Sequence, residues 1–360
     1  MLDYKKIVNQ IKPNLIIVFS PVIAITLALL VGAILIWLAK ANPITAYTAL
    51  FQESLFTYFG FGNTLTKMTP LLFTSLGVLL ALRGGQFNVG GEGQIYFGAL
   101  GSSLVGLCGQ NLPAFIHIPL ALLAGFLLGA IWGWIPGYLK AVRGVNEVIT
   151  TLLFNYLAVN FVSYLVQNSL KAPNAPSPYS PLIYKSAWLP MILTDSFTHA
   201  GIFLALITAV ILWLLLVKSP LGYQIKAVGY NPIAARYGNI SVENTLMLVM
   251  ALAGGLAGLA GACEVMGAKH RLYEQVSPGY GFDAIAIAFL SRGNVFGVVL
   301  NSLFFAALNS GANVMQRSAG VPITIVYAIQ GLMVLFIAIG LAVEREIKNK
   351  IMKTQSSTEV

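Results

Sequence analysis

From Gly201 to Val217 the chain reads GIFLALITAVILWLLLV, an apolar run without a charged residue. About 20 such residues match the ~30 Å hydrocarbon core of a bilayer. In that medium every backbone N–H and C=O must be paired within the protein, which a helix does within one segment. Comparable runs recur along the chain, and 57% of its residues are hydrophobic while 9% are charged. Soluble domains carry roughly 25% charged residues. The fold class is therefore an all-α polytopic membrane protein.

Hydropathy and charge place about ten transmembrane helices, near residues 15–39, 65–83, 88–109, 113–138, 147–167, 200–217, 242–263, 275–291, 293–314 and 321–343. The first is too long for the core of a cleaved signal and has no convincing cleavage site, so it is expected to stay as an anchor. Lys5, Lys6 and Lys12 precede it, and Arg345, Lys348, Lys350 and Lys353 follow the last span. Both termini are thus expected on the cytoplasmic side. Lys140, Arg143, Lys218, Lys226 and Arg236 mark loops on that side, and KAPNAPSPYSPLIYKS falls outside. The net charge of +9 reads as a set of topology signals against a lipid bilayer, with no nucleic acid partner. Cys108 and Cys263 are the two cysteines, each beside an apolar run, and suggest neither a disulfide framework nor a metal cluster. His117, His199 and His270 are scattered, as interfacial residues rather than ligands.

Two expected spans are interrupted by polar residues. GGQFNVGGEGQIYFG, Gly84 to Gly98, carries Asn88, Glu92 and Gln94 among its glycines, and GYGFDAIAIAFL carries Asp283. GGQFNVGG is loosely echoed by GYGFDAIA, and GVNEVITTLL by GVPITIVYAI. The two blocks start on opposite sides of the membrane. That pattern fits an inverted repeat, whose broken helices point to the substrate path; chance likeness between glycine-rich apolar segments is the alternative. Gly125, Gly129, Gly133 and Gly137 form a stripe at helical spacing, repeated by Gly254, Gly258 and Ala262. Such stripes let helices approach closely.

Between the sixth and seventh spans lies SPLGYQIKAVGYNPIAARYGNISVEN, residues 219–244, basic and amphipathic, with a short helix-forming piece from Pro232 to Tyr237. A loop this regular either docks onto a partner or lies on the lipid surface. It resembles the pattern T/S-x-x-G-x-x-x-R-A-x-G-x-N-x-x-A-A-x-x-x-G-I of permease subunits of ABC importers in the ribose, branched-chain amino acid and nucleoside group. Gly222, Ala227, Gly229, Asn231, Ala234, Ala235 and Ile240 match. Lys226 stands where arginine is common, and Asn239, after Gly238, precedes the isoleucine. FNVGGEGQ resembles the FN-I/V-G-x-E-G-Q signature of nucleoside and simple-sugar permeases, and GVNEVITTLLFNYLA their NEVI-x-T segment. The likeness runs from Thr66 to Gly340.

The resemblance implies a single transmembrane permease domain over residues 1–360, with type II importer-like inverted repeats and a cytoplasmic coupling loop at 219–244. Its ATPase-coupling residues would be Gly222, Lys226, Gly229, Asn231, Ala234, Ala235, Arg236 and Gly238. Implied partners are ABC ATPase subunits, a second permease (identical or paralogous) and an external solute-binding lipoprotein. The implied setting is the bacterial cytoplasmic (inner) membrane. The chain itself would bind no cofactor, ATP being used by the partner ATPase, and it has no G-x-x-x-x-G-K-[ST] phosphate loop. It would be a transport subunit rather than an enzyme, translocating nucleosides or related sugars. An ion-coupled secondary transporter is the rival.

Candidate pathway residues are Phe87, Asn88, Glu92, Gln94, Asn146, Glu147 and Asp283. Interrupted helices leave backbone groups open to a polar cavity, and Phe87, Tyr96 and Phe97 offer faces for a nucleobase. Glu92 fits either a pathway role or a bond to backbone N–H groups at a helix start. Glu147, beside Asn146 at the start of a span, fits a cytoplasmic gate or a helix cap.

Overall fold

The computed structural model describes residues 22–193 and 196–356. Its helices are α1 (Val22–Leu38), α2 (Pro43–Phe56), α3 (Tyr58–Arg83), α4 (Gly91–Cys108), α5 (Ala114–Arg143), α6 (Glu147–Gln167), α7 (Gly201–Lys218), α8 (Pro220–Tyr230), α9 (Pro232–Tyr237), α10 (Val242–Cys263), α11 (Tyr280–Leu290), α12 (Val295–Ala319) and α13 (Thr324–Ser356). Helix α10 continues into a π-helical turn at Glu264–Lys269. Among the described residues, six helices (α3, α5, α6, α7, α10 with its π turn, and α12) are long and apolar enough to cross a membrane, and α1, α11 and part of α13 are shorter apolar helices. The chain is a multi-pass membrane protein.

Each of the ten expected spans meets a helix, although residues 15–21 and the lysines before them lie outside the described residues. Helix α2 was not expected. Its sequence PITAYTALFQESLF is too short and too polar to register as a span. Helix α3 starts at Tyr58 rather than near 65, where the Thr57 hydroxyl accepts from the Gly60 N–H at 3.1 Å.

The chain divides into two compact units, Met1–Phe51 with Gly311–Val360, and Gln52–Ser310. In the first, the Tyr47 hydroxyl donates to the Leu29 carbonyl at 2.7 Å, and a Cβ on Gly32 would overlap Ile329 and Tyr47, so α1, α2 and α13 pack closely. In the second, α3 and α10 form the centre. The apolar window of α3 is 83% buried and that of α10 67%, against 22% for α5 and for α6. The glycine stripes of α5 and α10 face one another. A Cβ on Gly129 would fall on the Gly254 carbonyl, one on Gly258 on the Gly125 carbonyl, and one on Gly133 on the Met250 carbonyl. Backbones in contact gain dispersion energy where lipid removes the hydrophobic drive for association.

Residues 171–190 fold back over the ends of α4 and α10. The N–H groups of Ile183 and Leu189 donate to the carbonyls of His270 and Met266, at 3.1 and 2.9 Å, and that of Tyr184 to Gly106 at 2.9 Å. His117 bonds Ser186 at 2.8 Å and the Val105 carbonyl at 3.0 Å, tying the start of α5 to this layer.

Candidate translocation and coupling site

Helix α3 ends at Arg83, and α4 begins only at Gly91. The chain between them, 84–90, is non-helical, with Gly85 at φ 74°. Its end meets the start of α11: a Cβ on Gly281 would fall on the backbone nitrogen of Glu92. Two helix N-termini therefore approach backbone to backbone. Each brings unpaired N–H groups and a partial positive charge. The Glu92 carboxylate fills that gap, accepting from the Gly281 N–H at 2.8 Å, while the Ser277 hydroxyl accepts from Gly279 and Tyr280 at 3.1 and 3.0 Å. Of the two roles open for Glu92, the geometry shows the bond to a helix start.

The polar side chains of the connection point inward. Asn88 and Gln94 are each 1% exposed. The Asn88 amide donates to Gln94 at 3.1 Å, the Gln94 amide donates back at 3.3 Å, and Asn88 Oδ1 also accepts from the Gly90 N–H at 2.9 Å. Asn155 and Thr151 of α6 complete the frame. Asn155 accepts from the Gly93 N–H at 2.8 Å and donates to the Val89 carbonyl at 2.9 Å, and Thr151 accepts from the Val89 N–H at 3.3 Å. Sequence reasoning singled out the segment holding Thr151 and Asn155 without giving either a role. The structure bonds that segment directly to FNVGGEGQ. Phe97 stacks on Trp132 with centroids 3.7 Å apart and lies 5.8 Å from Phe161, so its faces meet α5 and α6 rather than an open path.

The other expected pathway residues do not join the Asn88–Gln94 pair. Asn146 is the N-cap of α6, accepting from Val148 at 2.9 Å. Glu147 pairs with Lys140 at 2.8 Å, joining the ends of α5 and α6. Phe87 is half-buried, with its ring 5.6 Å from that of Phe289 in α11. Asp283, also half-buried, accepts from the Asn309 amide of α12 at 3.0 Å. Lys67, inside α3, donates to the Asn309 carbonyl at 2.7 Å. Sequence reasoning missed Lys67, although an ion within an apolar run is a signal in itself. The echo of GGQFNVGG in GYGFDAIA is out of structural register: Asn88 precedes its helix, whereas Asp283 lies in the first turn of α11. The second echo holds locally. Gly144 follows α5 and Gly320 follows α12, each at φ 65°, three or four residues before the next helix.

At residues 219–244 the chain forms two short helices. The Ser219 hydroxyl caps α8, accepting from Gly222 at 3.0 Å, and Asn231 caps α9, accepting from Ile233 and Ala234 at 3.0 and 3.1 Å. Gly222 is close-packed, since its Cβ would fall on the Leu215 carbonyl. A Cβ on Gly229 would fall on the Arg83 carbonyl. The same arginine donates its guanidinium to the Gly293 carbonyl in the turn between α11 and α12. Arg83 thus joins α8, the glycine-rich connection and the turn between α11 and α12.

Asn239 takes φ 59°, the left-handed position after α9 where the permease pattern has glycine. Asparagine is among the residues best able to replace glycine there. The alanine pair splits: Ala235 is 5% exposed and packs with Val228 and Val242, while Ala234 is exposed. Lys226 is half-buried, and Asn231, Arg236 and Gly238 are exposed. Arg236 pairs with Glu243. The outward face carries Tyr223, Tyr230, Ile233 and Tyr237, at 70%, 83%, 71% and 91% exposure. None of these four was singled out from the sequence.

Comparison with known proteins matches residues 60–338 to the family described as branched-chain amino acid transport system / permease component. The chain is 36% identical to the guanosine ABC transporter permease protein NupP of Bacillus subtilis, over 90% of this chain and 93% of the relative. It is 35% identical to the glucose ABC transporter permease protein TsgB13 of Haloferax volcanii, over 88% and 86%. It is 34% identical to the nucleoside ABC transporter permease protein NupB of Lactococcus lactis, over 95% and 96%. With the match covering most of its length, and with both the helical bundle and the α8–α9 segment in place, this chain belongs to the branched-chain amino acid transport system permease family.

Proposed function

We propose that the chain is the membrane-spanning subunit of an ATP-driven importer and translocates nucleosides delivered by an external binding protein. The observation that carries this reading is the α8–α9 segment. Its outer face exposes Tyr223, Tyr230, Ile233 and Tyr237, and its inner face rests on the backbone of Arg83. A separate ATPase that moved α8 and α9 would push on Arg83, and through it on the connection before α4 and on the turn between α11 and α12. The α8–α9 end is then cytoplasmic, as are both termini, in a bacterial cytoplasmic membrane. A second permease chain, identical or paralogous, completes the path.

The opposed N-termini of α4 and α11, with the matching Gly144 and Gly320 turns, support an inverted repeat of α3–α6 with α10–α13. Phe87 and Asp283, both half-buried, are assigned to the path. Asn88, Gln94, Glu92, Asn146 and Glu147 hold the frame around it. Nucleosides are favoured over glucose by two of the relatives, NupP and NupB. Proteoliposomes holding the complete importer, supplied with loaded binding protein, test this choice. Accumulation of labelled guanosine is expected; accumulation of glucose alone would overturn the nucleoside assignment.

A further inference from the structure

Gln86 lies in the connection between α3 and α4 and is 1% exposed. Its backbone N–H donates to the Ala81 carbonyl at 2.9 Å. Both polar atoms of its side-chain amide, Oε1 and Nε2, are buried without a hydrogen-bond partner among the described residues. Asn88 and Gln94, equally buried, bond one another. Burying an unpaired amide costs free energy that an apolar side chain of similar size does not incur. Packing alone therefore gives no reason for a glutamine here.

The position of Gln86 supplies one. Gly85, the residue before it, lies against Gly229 of α8. A Cβ on Gly85 would come 3.0 Å from the Gly229 Cα, and one on Gly229 would come 3.0 Å from the Gly85 nitrogen. The unpaired amide thus stands one residue from the joint at which α8 meets the glycine-rich connection. A displacement of α8 that shifts this joint carries Gln86 with it and brings other backbone groups within its reach.

We propose that Gln86 is a positioning residue for the transport cycle. Its unpaired amide works against the arrangement of the joint described above and gains hydrogen bonds once a nucleotide-bound ATPase displaces α8. The residue lowers the cost of leaving the nucleotide-free arrangement, and it acts through the joint rather than by touching the solute. The proposal rests on the permease reading and adds to it a side chain that sets the balance between two arrangements.

The test uses the complete importer. Gln86→Met keeps the length of the side chain and removes the amide, Gln86→Leu is a second apolar filler, and Gln94→Met is the contrast at a paired amide. Melting in detergent is measured without nucleotide and with a non-hydrolysable ATP analogue, and guanosine turnover is measured in proteoliposomes with ATP. Both Gln86 variants should melt above wild type without nucleotide and lose that gain with the analogue. Their turnover should fall about tenfold, the scale of one unpaired buried polar group. Gln94→Met should melt below wild type in both conditions, because a purely structural amide does not distinguish them. If the Gln86 variants melt below wild type without nucleotide, the amide is already paired there and the proposal fails. A gain kept in full with the analogue, or wild-type turnover, would overturn it equally. Wild-type importer that takes up no guanosine with ATP would instead overturn the permease reading itself.

Discussion

Asn88 and Gln94 are each 1% exposed, while Tyr230 and Tyr237 are 83% and 91% exposed. At the connection before α4, Asn88 and Gln94 are enclosed and bonded to one another and to backbone. In α8 and α9, apolar rings stand outward and the helices hold themselves in place with their own caps. The difference follows from what each region lacks. A helix that starts inside a membrane protein lacks partners for its first N–H groups, and Asn88, Asn155 and Glu92 supply them. A short helix at the surface caps itself through Ser219 or Asn231, so its outer residues are free to meet another protein. Polar residues in a membrane chain therefore point to a backbone that needs them as readily as to a solute.

The comparison can be broken first where the backbones touch. Gly281→Val would drive a side chain into the Glu92 backbone. Overpacking of this kind costs about 3 kcal/mol, and the variant should melt well below wild type in detergent. An unchanged melting temperature would mean that the two helix starts are not joined.

Next comes the enclosed network. Asn88→Ala leaves the Gln94 amide and the Gly90 N–H without their partner, a loss of about 2 kcal/mol. The loss should appear as a lower melting temperature, with uptake per inserted molecule nearly unchanged. Reduced uptake at normal stability would return Asn88 to the solute path.

On the exposed side the expected effect moves from folding to association. Tyr237→Ala should leave melting unchanged and weaken co-purification with the ATPase by more than about 1 kcal/mol, as truncation of an interface aromatic does. Ala234→Glu should act in the same way. Ala235→Glu should instead disturb the segment itself, because Ala235 packs against Val228 and Val242. Equal behaviour of the two alanine variants would contradict the inward and outward assignment. The smallest effect belongs to Arg236→Ala. Its exposed pair with Glu243 contributes no more than about 0.5 kcal/mol to stability, so a large change in melting would show an unexpected role.

Much of the bundle was legible because hydropathy is local. Each long apolar run became a helix, and the stripe from Gly125 to Gly137 met its counterpart at Gly254 and Gly258. Helix α2 was not legible, since Thr45, Gln52 and Glu53 dilute a short apolar segment. The motifs located the candidate site without giving its geometry. Asn88 finds Gln94 only when a helix start turns between them, and Lys67 meets Asn309 across 242 residues of chain. Ala234 and Ala235 look alike in a pattern, and only packing separates them. The outward tyrosines carried no signal, because in an apolar chain an aromatic residue is ordinary.

The central claim is that this permease is driven by a separate ATPase acting at α8 and α9. Guanosine uptake into proteoliposomes containing the whole importer, with ATP on the α8–α9 side and all ion gradients collapsed by ionophores, tests it most directly. Uptake should proceed with ATP, stop without it, and fall with Tyr237→Ala. Uptake that a proton or sodium gradient drives in the absence of ATP would contradict the account and identify an ion-coupled carrier.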